Sequence, residues 1–130
     1  MDFIFTLHSH FRWIALLAAA VVAVKYIAAL VGKKEYSKLD RILGLAFSSV
    51  TDIQLLLGLI LLISRISAGA FSGRIAEHIT IMIIAVVLVH LPVKWRTSES
   101  SARFRNTLLC YSGALILILL GIIRMRGALI

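Results

Sequence analysis

Cysteine is almost missing from this sequence, because Cys110 is the only one among 130 residues. A lone cysteine cannot form a disulfide within the chain, and it cannot build a zinc knuckle or a thiolate-held iron–sulfur cluster there. Any cofactor bound by this chain therefore needs histidine, methionine or carboxylate ligands.

Charged residues are also scarce, at 15% of the chain, whereas about 25% is usual in soluble domains. Apolar residues make up 61% of the chain, and the mean hydropathy is +1.01. This composition excludes a water-soluble domain, since a chain this short has too little interior for so much apolar surface. We expect lipid to be the solvent for most of it.

Acidic residues are the scarcest charged group, since six Asp and Glu stand against 14 Lys and Arg and leave a net charge of +8. On a soluble protein this excess would suggest nucleic-acid binding. Here the basic residues lie between apolar runs, where they flank membrane helices and meet anionic lipid headgroups. We therefore predict a lipid bilayer as the partner of the chain, and no nucleic acid.

Four apolar runs are long enough to cross a bilayer, which takes about 20 helical residues. They cover residues 11–31, 42–63, 75–93 and 108–123. Helices satisfy their own backbone hydrogen bonds in lipid, and short connections make sequential helices antiparallel neighbours. The sequence predicts an all-α fold, an antiparallel four-helix transmembrane bundle, with residues 1–130 as one integral-membrane domain.

The basic residues are distributed unequally between the two predicted sides of the membrane. The side opposite the amino terminus holds nine: Lys25, Lys33, Lys34, Lys38, Arg41, Lys94, Arg96, Arg103 and Arg105. The side of the amino terminus holds five: Arg12, Arg65, Arg74, Arg124 and Arg126. Because the more basic side favours the cytoplasm, both termini are predicted to lie outside.

Two histidines are placed where the bundle can bring them together. His8 and His78 lie near the starts of the first and third helices, and antiparallel alternation puts both starts on one side of the membrane. Two neutral imidazoles on facing helices are a chemically sensible pair of axial ligands for haem iron. Further candidates at that end are Met82 as a substitute ligand, and Arg12, Arg124 and Arg126 as partners of the haem propionates. The alternative is that both histidines bond to loop carbonyls and water at the interface.

A second polar group lies deeper in the predicted membrane. Asp52 is near the centre of the second span, and a carboxylate there must be paired or protonated. His90 and Lys25 are its best partners, so the three are expected to form a buried polar cluster. Two interpretations of this cluster stay open. One is a proton relay or a quinone-headgroup site, and the other is a structural interhelical pair, with Lys25 extending to the cytoplasmic surface.

Short strings spread over most of the chain carry a family resemblance. They are residues 7–9 (LHS) with Arg12-Trp13, Thr51 with residues 53–59 (IQLLLGL), Glu77-His78, and the basic entry to the last helix at residues 103–107. Together they resemble a family of small bacterial four-helix membrane proteins commonly labelled cytochrome b-like. The resemblance implies a b-type haem and electron transfer, with His8 and His78 at the positions of family histidines.

One position departs from the family pattern. Where such sequences tend to read Thr-His-Ile-Gln, this chain has Asp52 between Thr51 and Ile53. If the histidine of the second helix were the essential ligand, this chain would be a haemless relative.

Two classes of function follow. The first is a haem b-binding electron carrier in the bacterial inner membrane, as a small subunit of a respiratory or photosynthetic complex. The second is a cofactor-free accessory subunit that stabilises a larger membrane complex. Binding of a tetrapyrrole other than haem is a third possibility. With almost no mass outside the membrane, the chain is expected to work with other subunits or as a homo-oligomer rather than as a free-standing enzyme.

Overall fold

Four long helices form the protein. The computed structural model describes residues 1–126, which contain α1 (Asp2–Val31), α2 (Lys38–Ser67), α3 (Gly73–His90) and α4 (Ser100–Arg126), with a 3-10 segment at Leu91–Trp95. No strand occurs within this range. The predicted all-α four-helix fold is therefore confirmed.

The helices extend beyond the predicted apolar runs, because their polar ends are helical as well. The first run was expected from residue 11, whereas α1 begins at Asp2. A capping box starts α2, in which the Ser37 hydroxyl accepts from the Asp40 N–H at 3.3 Å and the Asp40 carboxylate accepts from the Ser37 N–H at 2.9 Å. Pro92 cannot continue an α-helix, and α3 ends just before it at His90.

All four helices of the described chain are long and apolar enough to cross a membrane, when α3 is taken together with the 3-10 segment. At about 1.5 Å per residue, the 30 residues of α1 extend about 45 Å, which exceeds a hydrocarbon core of about 30 Å. Large apolar side chains such as Leu17, Val24, Ile63 and Ile116 are exposed on the outside of the bundle. Such a surface fits contact with lipid.

Each helix packs against two neighbours. Helix α1 contacts α2 and α4, and α3 contacts the same two helices, so α1 and α3 face each other across the bundle. Along α1, His8 contacts Gln54 and Lys25 contacts Asp40, so positions that advance along α1 go backward along α2.

The interior differs between the two halves of the bundle. Where α1 ends and α4 begins, it is filled by a cluster of aromatic rings: Tyr26, Tyr36, Phe47, Phe104 and Tyr111. Tyr26 is fully buried, and its hydroxyl donates to the backbone carbonyl of Asp40 at 2.7 Å. The opposite half, where α1 and α3 begin, is open instead.

Candidate cofactor cavity

A cavity of about 490 Å³ occupies this open half. All four helices line it, so it lies inside the bundle rather than between two helices. Its volume falls within the range of about 300–1,000 Å³ that is usual for small-molecule sites. Most of the lining is aliphatic, with polar exceptions at His8, Ser9, Arg12, Thr51, Gln54, Arg65, His78 and Arg126. The space suits a largely apolar ligand that carries a few polar groups.

His8 and His78 both line this cavity. They come from α1 and α3, the two helices that face each other across the bundle. The structure therefore brings together the two histidines that the sequence pairs.

The His78 ring is oriented by α4. Its Nδ1 lies 3.2 Å from the backbone carbonyl oxygen of Gly121. When Nδ1 carries the proton and donates to this carbonyl, the lone pair of Nε2 is left for a metal or another acid. Metal-binding histidines are commonly oriented by such a hydrogen bond to a backbone carbonyl.

His8 is held from the α2 side. Its backbone carbonyl accepts a hydrogen bond from Gln54 Nε2 at 2.8 Å, and Gly58 lets α2 approach so closely that a Cβ there would lie 3.2 Å from His8 Cε1. The His8 Nδ1 is buried and has no hydrogen-bond partner in the described chain, like Gln54 Oε1 and Arg12 Nε. Buried polar atoms are normally satisfied, so these three atoms are available to a polar group that enters the cavity.

Met82 also lines the cavity, one turn along α3 from His78. Its methyl group lies against Gly121, where an added Cβ would overlap it. Met82 therefore lies in the same cavity as the two histidines, and its role as a substitute ligand stays a prediction.

The arginines at this end differ from the predicted set. Arg12 and Arg126 line the cavity as expected, and Arg65 of α2 joins them. Arg124 does not line it, because its guanidinium turns to the outside and binds Glu77, with Nε 2.7 Å from one carboxylate oxygen and Nη2 3.2 Å from the other. The prediction that Arg124 serves the propionates is therefore wrong. Helical rotation explains it, since positions 124 and 126 are about 200° apart around the helix.

The predicted buried cluster of Asp52, His90 and Lys25 does not form. Asp52 does pair with His90, at 2.7 Å between Oδ1 and Nε2, but half of each side chain is exposed on the outside of α2 and α3. Lys25 binds Asp40 instead, at 2.8 Å. The pairing of Asp52 with His90 was predicted. The predictions that this pair is buried and that Lys25 joins it were wrong. Lys25 binds Asp40, which lies about three helical turns before Asp52 in α2.

Sequence reasoning missed Arg65, Gln54 and Gly58 as cavity residues. A signal was present, since Gln54, Gly58, Leu61 and Arg65 follow the spacing of four, three and four that marks one helix face. Residue 52 is not part of that face, so the departure from the family pattern at Asp52 removes no side chain from this cavity.

Comparisons with known proteins found no matching family model, no matching curated protein and no matching solved structure. Within residues 1–126 there is also no group of three or more His, Cys, Asp or Glu side chains arranged to hold a metal ion.

Proposed function

We propose that this protein binds a b-type haem between His8 and His78 and serves in electron transfer. The observation that carries the proposal is the single cavity that both imidazoles line from opposite helices, with the unpartnered Nδ1 of His8 buried in its wall. The resemblance of the sequence to the cytochrome b-like family supports the same ligand pair.

The residues fit this cofactor in three respects. The apolar lining suits a porphyrin, the Gly121 carbonyl orients His78 for ligation, and arginines are present for acidic groups. When bound, haem supplies one-electron chemistry. Held by the imidazoles of His8 and His78, the haem would serve electron transfer rather than oxygen activation.

The test is a reduced-minus-oxidised absorption spectrum of protein purified from cells with adequate haem supply. We expect a b-type spectrum that is lost in His8→Ala and His78→Ala. His10→Ala is the matched control, because His10 is exposed and its Nδ1 lies 2.7 Å from the Thr6 carbonyl oxygen, away from the cavity. A colourless wild-type protein would refute the haem proposal.

We further propose that the chain is a multi-pass protein of the bacterial inner membrane, with antiparallel spans and both termini outside. Four helices of sufficient length and apolarity support the membrane location. The unequal distribution of basic residues supports the orientation.

Association with other membrane subunits, or with a second copy, completes the proposal. The supporting observation is the half-exposed pair of Asp52 and His90 on the outside of α2 and α3, because ionisable side chains within a membrane rarely face lipid. The same observation favours the second candidate function, a cofactor-free accessory subunit. Native gel migration of gently solubilised protein as a lone monomer would contradict both forms of association.

A further inference from the structure

We propose that Arg12, Arg65 and Arg126, here called the arginine cluster, form a subsite that binds the carboxylates of the cavity's ligand. The inference rests on the proposed function, since it takes that ligand to be a tetrapyrrole with acidic side chains. The arginine cluster would bind the tetrapyrrole whether or not iron is present. It would also direct the edge that carries the carboxylates toward the end of the bundle.

The arginine cluster is assembled from three helices. Arg12 lies in α1, Arg65 is two residues from the end of α2 at Ser67, and Arg126 is the last residue of α4. Their side chains line one cavity. Three separate helices thus place positive charge around one space, whereas basic residues that only flank a membrane would face outward to headgroups.

These charges have no acidic partner in the described chain. The ion pairs within residues 1–126 use Lys25, His90 and Arg124, and no Asp or Glu is among the cavity-lining residues. Arg12 stacks near the Trp13 ring, at 5.1 Å from its centre, and its Nε is buried without a hydrogen-bond partner. Arg12 is partly buried, whereas Arg65 and Arg126 are exposed at the mouth of the cavity. Positive charges held together around one space repel one another, and an anion that joins them relieves this repulsion.

The cavity is also polarised along the bundle axis. Arg65 and Arg126 lie at the end of the bundle, whereas the lining residues farthest from that end on the four helices are Ala15, Thr51, Val86 and Ile118, of which only Thr51 is polar. A ligand that matches this gradient has an apolar body directed inward and anionic groups directed to the end. The planar guanidinium favours carboxylates because it can donate two parallel hydrogen bonds to them.

Iron-free protoporphyrin IX and its dimethyl ester test the subsite, since they differ only in the two carboxylates. Binding to the full chain in an uncharged detergent is followed by porphyrin fluorescence. We expect Arg65→Gln and Arg126→Gln each to weaken binding of the free acid by about tenfold or more, and to leave binding of the ester unchanged.

Arg124→Gln is the matched control, because it removes the same charge from the same end of α4 without touching the cavity. Arg65→Lys keeps the charge but loses the planar fork, so we expect an intermediate effect. Helical circular dichroism and the unfolding temperature of each variant show that the bundle is intact. If a glutamine variant unfolds, Arg65→Lys takes its place. Binding of the free acid and binding of the ester are then compared in a folded protein.

Equal loss of acid and ester binding, or no loss of either, would overturn the subsite. Displacement of the porphyrin by phosphatidylglycerol in an arginine-dependent manner would also overturn it, by assigning the cluster to a lipid phosphate. Failure of the haem proposal is a different result, because it appears in the iron spectra of the histidine variants. Iron-free porphyrin has no metal for those imidazoles to bind.

Discussion

The Nδ1 of His78 lies 3.2 Å from the carbonyl oxygen of Gly121, so α4 sets the direction of the ring that α3 carries. At the same point Gly121 leaves room for the Met82 methyl group. Gly121 thus positions two cavity residues. Its carbonyl oxygen orients His78, and its lack of a side chain leaves room for Met82.

Gly121→Ala is expected to reduce cofactor binding more than it reduces stability. The new methyl group displaces the flexible end of Met82 toward the cavity, while alanine favours the helix by up to about 1 kcal/mol over glycine. Overpacking costs about 1–3 kcal/mol, so the net loss of stability should be no more than about 3 kcal/mol. A haem titration beside thermal unfolding measures both effects.

The second variant for this site is Gly121→Ala combined with Met82→Ala, which removes the displaced group and should restore binding. Gly113→Ala is the control, because its added Cβ would meet only Leu88, which does not line the cavity. If the double variant binds no better than Gly121→Ala, displacement of Met82 is not the cause.

Tyr26→Phe tests how much a buried hydroxyl stabilises the half of the bundle that is filled by aromatic rings. The lost hydroxyl is fully buried, donates to the Asp40 carbonyl at 2.7 Å and lies 3.1 Å from the Tyr36 hydroxyl. Removing it should lower the free energy of unfolding by about 1 kcal/mol. Tyr36→Phe should cost less, because Tyr36 is only partly buried and keeps its ring contacts. Thermal unfolding in detergent ranks the two, and a larger effect of Tyr36→Phe would contradict this assignment.

Lys25 and Asp40 are paired asymmetrically. The Asp40 side chain is 1% exposed and that of Lys25 is 37% exposed, so removing the lysine leaves a buried anion. We expect Lys25→Met to destabilise the bundle by about 1–3 kcal/mol, less than the loss of a fully buried pair, because the Ser37 N–H and hydroxyl still donate to the Asp40 carboxylate. Asp40→Asn should suppress part of this loss, since it removes the charge and keeps a hydrogen-bonding group. Denaturant unfolding of the single and double variants gives the coupling, and simple additivity would refute the pairing.

The fold was predictable from the sequence because apolar runs of spanning length admit few alternatives. Helix ends were less predictable, since hydropathy does not register polar residues such as Asp2 that are nonetheless helical. Spacing along single helices placed His8 and His78 correctly, because both lie on faces directed into the bundle.

Partners on other helices were harder to predict. Hydropathy does not show that Asp40 reaches the level of Lys25, or that Arg124 meets Glu77 outside the bundle. Such contacts depend on helix rotation and axial offset, which a single sequence constrains only weakly. Arg65 was missed because it was counted as a membrane flank, although it lies on the same α2 face as Gln54.

The pair of Asp52 and His90 offers a test of association. Because both side chains are half exposed, we expect the pair to contribute only about 0.2–1 kcal/mol to the stability of the monomer in detergent. Asp52→Leu combined with His90→Leu should therefore remain folded but lose the slower-migrating form on a native gel. Leu109→Ala, on the exposed face of α4, is the control that should retain it. Unchanged migration of the double variant would place the interface elsewhere.

Orientation can be read from single cysteines in the connections. Cys110 is buried and is replaced by alanine, after which Ala70→Cys reports on the connection between α2 and α3 and Ser98→Cys on the one before α4. Both positions are exposed, and neither substitution changes the charge balance. With nine basic residues on the side of Ser98 and five on the side of Ala70, a membrane-impermeant maleimide should label intact cells only at Ala70→Cys. Permeabilised cells should be labelled at both positions, which shows that each cysteine is reactive. Labelling of intact cells at Ser98→Cys alone would reverse the orientation and place the cavity end, with its arginine cluster, on the cytoplasmic side.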